Sequence, residues 1–109
     1  MKRVRLWGMY IVISLCLLAP SCGQRSLPDS RAENLFRLHC QPCHPDGKNV
    51  INPARTLYSQ DLKKNKIETP EAIVKVIRTA PRGMTSFDAK TLSDKDVQMI
   101  ARYVLKTFR

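Results

Sequence analysis

The chain has 109 residues, with 19 Lys plus Arg against nine Asp plus Glu, 43% hydrophobic residues and 6% aromatics. That length excludes a multidomain enzyme, and four cysteines are too few for a disulfide-dense scaffold. The apolar share excludes a disordered chain, because it can offset much of the entropy lost on ordering.

Residues 1–21 read as an export signal that is cleaved from the folded unit. Lys2, Arg3 and Arg5 form a basic start, Leu6 to Ala19 is an apolar run broken only by Gly8 and Ser14, and small residues follow at Ala19 and Ser21. The run falls short of the roughly 20 apolar residues that cross a bilayer as a helix. The stretch Leu-Ala-Pro-Ser-Cys ending at Cys22 resembles a bacterial lipoprotein box, in which cleavage precedes a cysteine that is then acylated. Ordinary cleavage, with Cys22 removed or left free, is the alternative. Residues 22–29 read as a short polar tether, and residues 30–109 as the domain.

Three of the 19 basic residues lie in the signal and all nine acids lie after it, so the exported chain carries 16 against nine, or +7. Such a balance suits acidic protein partners or an anionic membrane surface; a merely solvated basic surface accounts for it equally well. Nucleic acid is not an expected partner, since the basic residues neither cluster in a run nor alternate with aromatics.

Along the domain the pattern is helical. Ser30 or a neighbour caps a first helix that runs into Cys40, with Ala32, Leu35 and Phe36 on one side. Leu57 to Lys64 make a short turn of helix. Thr69-Pro70-Glu71 supplies an N-cap, a proline at the first helical position and an acid in the first turn, for a helix through Thr79 that ends before Pro81. The segment Ala80 to Phe87, rich in Pro and Gly, is irregular. Ser93, followed by Asp94 and Asp96, opens a last helix to about Phe108, with an apolar stripe of Val97, Ile100, Ala101, Val104 and Phe108. No strand alternation, repeat or low-complexity tract interrupts this order.

The cysteines carry the chemistry. Cys16 leaves with the signal, so Cys40 and Cys43 are the pair in the domain, and Cys40-Gln41-Pro42-Cys43-His44 is the c-type haem attachment pattern. Two thiols three residues apart reach the vinyl groups on one side of a porphyrin and form thioethers, and His44 is then placed beneath the iron as a neutral imidazole ligand. The leftover ring N–H requires a backbone carbonyl, expected from the Asn49 to Pro53 loop.

Competing readings of the pentapeptide are weaker. A redox-active dithiol wants a βαβ surrounding, a zinc site would have to close on Cys40, Cys43, His39 and His44, all near neighbours, and a plain structural disulfide is the remaining alternative. For the second axial position the sequence offers Met84, in the irregular segment that can loop over the haem face. Met99 lies within the last helix, where methionine is usually core; His39 lies beside Cys40; an open position is the remaining option. Some 80 residues enclose little core, so a covalent porphyrin would also act as a staple for the fold.

With these residues in place, the chain from about Ser30 to Arg109 resembles a class I cytochrome c. It is most similar to the small group that replaces plastocyanin in algae and cyanobacteria, and to its bacterial relatives. Asn49-Val50-Ile51 with Thr56-Leu57, Gly83-Met84 with Phe87, Leu92-Ser93-Asp94 and Ala101-Arg102-Tyr103-Val104-Leu105 follow the family order. The resemblance implies an all-α fold of three to four short helices wrapped around one covalent haem c, the first and last helices crossing with Ala32 and Phe36 against Ile100 and Tyr103. Ala32 stands where the family commonly has Gly, and Thr85 where it frequently has Pro.

The implied function is one-electron transfer between redox proteins outside the cytoplasmic membrane, in the periplasm or a similar compartment, without catalysis. Two strong axial ligands leave no iron site for a substrate. The family docks through its exposed haem edge, which makes Arg78 and Arg82 candidates for steering acidic partners. The alternatives are a haem-based sensor or weak peroxidase with a displaceable sixth ligand, and a redox subunit of a larger membrane complex.

Overall fold

The computed structural model describes residue 23 and residues 27–109. Residues 1–21, expected as an export signal, Cys22 and residues 24–26 of the expected tether lie outside the described residues. Four helices make up the domain: α1 (Leu27–His39), α2 (Ser59–Lys64), α3 (Pro70–Thr79) and α4 (Asp94–Thr107), with a three-residue helical turn at Pro45–Gly47. Among the described residues there is no strand, and no helix is long and apolar enough to cross a membrane.

Helix α1 begins three residues before the expected Ser30. Pro28 and Asp29 suit a first helical turn, and tertiary contacts hold it in place. Asp29 Oδ2 accepts from Lys106 Nζ at 2.7 Å, and Arg31 pairs with Asp96 at 2.9 Å. Asp29 and Arg31, two residues apart on α1, thus reach positions ten residues apart on α4, about 15 Å along its axis. Helix α1 therefore crosses α4 and does not run beside it.

The other helix starts follow the sequence. Thr69 Oγ1 accepts from the Ala72 N–H at 3.2 Å at the start of α3, and Ser93 Oγ accepts from the Asp96 N–H at 3.2 Å at the start of α4. Leu92, just before the Ser93 cap, and Val97, four residues into α4, are both fully buried, the arrangement of a hydrophobic staple. At α2, Thr56 donates through both its N–H and its hydroxyl to Asp61 Oδ2. Those bonds hold the Asp61 carboxyl below its ordinary range.

Helix α4 packs against both α1 and α3. Its stripe enters the core as the spacing predicts: Val97, Ile100, Ala101 and Val104 are buried, together with Phe36, Leu62, Ile73, Ile77 and Leu92. Ala32 is buried on α1. Phe36 meets Tyr103 with ring centroids 5.4 Å apart, and Phe108 at the same separation. Phe108 ends the stripe differently from the rest. It is half-buried at the C-cap of α4, its carbonyl accepts from the Ser59 N–H at 2.9 Å, and its ring faces Tyr58 edge-on.

That ring also meets the backbone at Gly47, which has φ +80°. A Cβ at Gly47 would lie 2.5 Å from Phe108 Cδ1, whereas one at Gly83 (φ +86°) would meet only Ile51 Cγ2 at 3.5 Å. Both positions demand glycine's conformational freedom, but Gly47 adds a clash with a ring packed by three other aromatics. In chemical denaturation of the holoprotein, Gly47→Ala is therefore expected to lose about 3 kcal/mol, and Gly83→Ala only about 1 kcal/mol. Equal losses would remove the Phe108 contact from the argument.

Candidate functional site

The end of α1 delivers the cysteine motif. Phe36 O accepts from both the Cys40 and Gln41 N–H groups (2.8 and 2.9 Å), and Cys40 O from both the Cys43 and His44 N–H groups (3.1 and 2.8 Å). The motif is thus wound as one further turn on the helix, which puts the Cys40, Cys43 and His44 side chains on one wall. Val50 N–H donates to Cys43 O at 3.0 Å and brings the next loop alongside.

That wall faces a cavity that is partly open to solvent. Cys40, Cys43, His44 and Met84 all line it, and its remaining lining is chiefly apolar, with Leu57, Leu62, Ile73, Ile77, Ile100 and Val104 from the surrounding helices and loops. Met99 is half-buried on α4 and is not among the lining residues. His39 does line the cavity, where its ring meets Phe87 edge-on at 5.6 Å.

His44 is oriented from behind. Its Nδ1 lies 2.9 Å from Lys48 O, and since a carbonyl only accepts, Nδ1 carries the proton and Nε2 keeps its lone pair. The acceptor comes one residue before the loop from which it was expected. The turn at Pro45–Gly47 is the reason: Gly47 N–H bonds His44 O at 3.2 Å and Lys48 N–H bonds Pro45 O at 2.9 Å, which curls the Lys48 carbonyl back under the ring.

No disulfide joins Cys40 to Cys43. Both are free, and burial, reinforced by the neighbouring Cys43, pushes the Cys40 thiol up to about 12. A reactive dithiol wants its leading cysteine shifted the other way, so the redox-dithiol reading finds no support here. Among the described residues no three His, Cys, Asp or Glu side chains converge as a metal-binding group, which leaves the zinc reading without its ligands.

Arg78 and Arg82 part company. Arg82 is exposed and lines the cavity. The Arg78 guanidinium is turned into the domain, where Nη1 donates to Phe87 O at 2.8 Å and Nη2 pairs with Asp94 at 2.7 Å, leaving its side chain only 22% exposed. A guanidinium committed in this way is not free to meet a partner. Arg55, which sequence reasoning passed over, is exposed at the lining instead, beside Ile51 (53% exposed) and near Val50 (60%).

Asn49 organises that loop. Its Oδ1 accepts from the Ile51 and Asn52 N–H groups (3.0 and 2.9 Å), and its Nδ2 donates to Arg55 O at 2.9 Å. An Asx turn ahead of Asn52-Pro53 was the signal available in the sequence.

Comparison with known proteins gives a consistent result. The family described as "Cytochrome C oxidase, cbb3-type, subunit III" matches residues 28–104. Cytochrome c6 of Cyanidium caldarium is 38% identical over 101 residues, covering 90% of this chain and 91% of its own. Outer membrane cytochrome F (OmcF) of Geobacter sulfurreducens has a similar structure, with a TM-score of 0.69 and 32% identity over 72% of this chain and 99% of that one. Oxidised cytochrome c6A of Arabidopsis thaliana gives a TM-score of 0.70 at 29% identity, over 75% and 91%.

The chain belongs to the class I mono-haem cytochromes c. It is an electron carrier with one covalently bound haem c, and it works between other redox proteins. The residues present fit that group, because the cavity combines two thiols one helical turn apart, an imidazole with a free Nε2, a thioether and an apolar lining.

Replacing Asn49 with Ala strips three backbone groups of their side-chain partner. A loss of about 1–2 kcal/mol in denaturation is expected, with Asn49→Asp, which keeps the acceptor half, falling between. An unchanged stability for Asn49→Ala would show that water replaces those bonds at no cost.

Proposed function

We propose that Cys40 and Cys43 hold the haem through thioethers and that His44 Nε2 and Met84 Sδ are its axial iron ligands. The observation that carries this reading is the convergence of all four side chains on one apolar cavity, with His44 Nδ1 already committed to Lys48 O. Bound there, the haem supplies a one-electron Fe(III)/Fe(II) couple. With the haem bound, His44 and Met84 would hold its iron and leave no position for an exogenous substrate, which favours electron transfer over oxygen chemistry. The Lys48 carbonyl fixes the imidazole tautomer and raises its basicity. The apolar lining from α3 and α4 keeps water from the cavity and limits solvent reorganisation when the charge changes. The cytochrome c6 relatives favour this carrier over a sensor with a displaceable ligand.

In this reading residues 1–21 direct export, the mature chain begins at Cys22, and acylation there tethers the domain to the membrane outside the cytoplasm. Arg55 and Arg82, exposed at the cavity lining beside Val50 and Ile51, form a basic rim around an apolar patch that suits an acidic redox partner.

Two outcomes are expected. The ferric wild-type protein shows the weak long-wavelength charge-transfer band of sulfur on iron and Met84→Ala lacks it; a band that persists in the variant would remove Met84 as the ligand. Arg82→Glu slows electron transfer to an acidic acceptor several-fold at low salt, and the difference fades as ionic strength rises. A rate equal to wild type at low ionic strength would discard the steering role.

A further inference from the structure

The segment that carries Met84 is held mainly at its ends. Its start is closed by Ala80 N–H on Val76 O at 2.8 Å, and its end by Phe87 N–H on Ile77 O at 3.3 Å. Between these ends Arg82 and Gly83 form a local turn, and among the described residues no hydrogen bond ties Pro81 to Ser86 to the helices. Ala80 (φ +45°), Arg82 (φ +50°) and Gly83 (φ +86°) all sit in the left-handed region. For the two non-glycine residues that backbone is strained, and it persists only where the surroundings over-determine it. The Phe87 N–H bond is long and makes a poor anchor by itself.

Arg78 completes the anchor. One face of its guanidinium donates to Phe87 O at 2.8 Å while the other is fixed by Asp94 at the first turn of α4. Phe87 is therefore held by its N–H, its carbonyl and its ring against His39, three residues after Met84. We infer that Arg78 is a positioning residue that keeps the Met84 thioether directed into the cavity and so sets how readily the sixth ligand leaves. The inference rests on the reading of Met84 as an axial ligand. The contact with Phe87 O carries most of the effect, since it is charge-assisted and partly screened from solvent, whereas the Asp94 side chain is 89% exposed and its pairing is weak in water.

The test uses ferric holoprotein and imidazole as the entering ligand. At saturating imidazole the observed rate is limited by departure of the resident ligand. Arg78→Ala is expected to raise that limiting rate about tenfold or more, the consequence of losing a hydrogen bond to a charged group. Asp94→Asn raises it less, because the Phe87 contact survives. Arg31→Ala breaks a comparable ion pair with Asp96 on the same turn of α4 and is the control for general loosening; its rate stays within about twofold of wild type. If Arg78→Ala does not accumulate as holoprotein, Arg78→Lys, whose ammonium lacks the planar fork, carries the same expectation at smaller size. An Arg78→Ala or Arg78→Lys rate equal to wild type, or an Arg31→Ala rate raised as much, overturns the inference. Met84→Ala separates the two levels. If it binds imidazole without the slow step while Arg78→Ala matches wild type, only the positioning role fails; if it binds at the wild-type rate, the Met84 assignment fails and the positioning role falls with it.

Discussion

The domain is folded around a space, partly open to solvent, that its own side chains line but do not fill, and the position of each element can be traced to that space. Helix α1 has to end where one more turn places Cys40, Cys43 and His44 on its wall. Helices α3 and α4 have to turn Ile73, Ile77, Ile100 and Val104 both toward one another and toward the cavity. The small number of fully buried side chains, Leu92, Val97 and Ile100 being the largest, means that the chain has little core to spare. A covalently bound haem in that space converts an apolar void, which costs packing energy, into contact surface.

Support for the site comes from loops as much as from helices. On the cysteine side, the Pro45–Gly47 turn curls Lys48 O under His44, and the ring of Phe108 seals the turn against Gly47. Tyr58 adds a further tie by donating its hydroxyl to Asp46 O at 2.8 Å. On the Met84 side, α3 and the start of α4 hold Phe87 through Ile77 and Arg78. Both axial candidates are thus positioned through backbone carbonyls a few residues away, Lys48 O behind His44 and Phe87 O beyond Met84.

Much of this was legible in the sequence because it depends on local rules. The caps at Thr69 and Ser93, the stripe of α4 and the five-residue attachment pattern are properties of neighbouring residues, and the structure places them as the spacing requires. Part of what escaped depends on contacts distant in sequence. Helix α1 starts early because Asp29 and Arg31 find partners 77 and 65 residues away. The His44 acceptor falls at Lys48 because left-handed Asp46 and Gly47 tighten the turn, which composition alone does not fix. Arg78 reads as a surface charge in sequence, since nothing local reveals that Phe87 O and Asp94 will lie within its reach. The two arginines looked alike for that reason, and only the fold separates one that braces a loop from one that faces solvent.

The account's central claim is that this cavity holds a haem with Met84 on the face opposite His44. From residue 22 onward the sequence contains two methionines, Met84 and Met99. The most direct measurement is the proton–carbon NMR spectrum of reduced holoprotein labelled at its methionine methyl carbons. The account predicts one methyl displaced far upfield by the porphyrin ring current and absent in Met84→Leu, with the Met99 methyl in the ordinary range. Two ordinary methyl signals, or an upfield signal that survives in Met84→Leu, would contradict it.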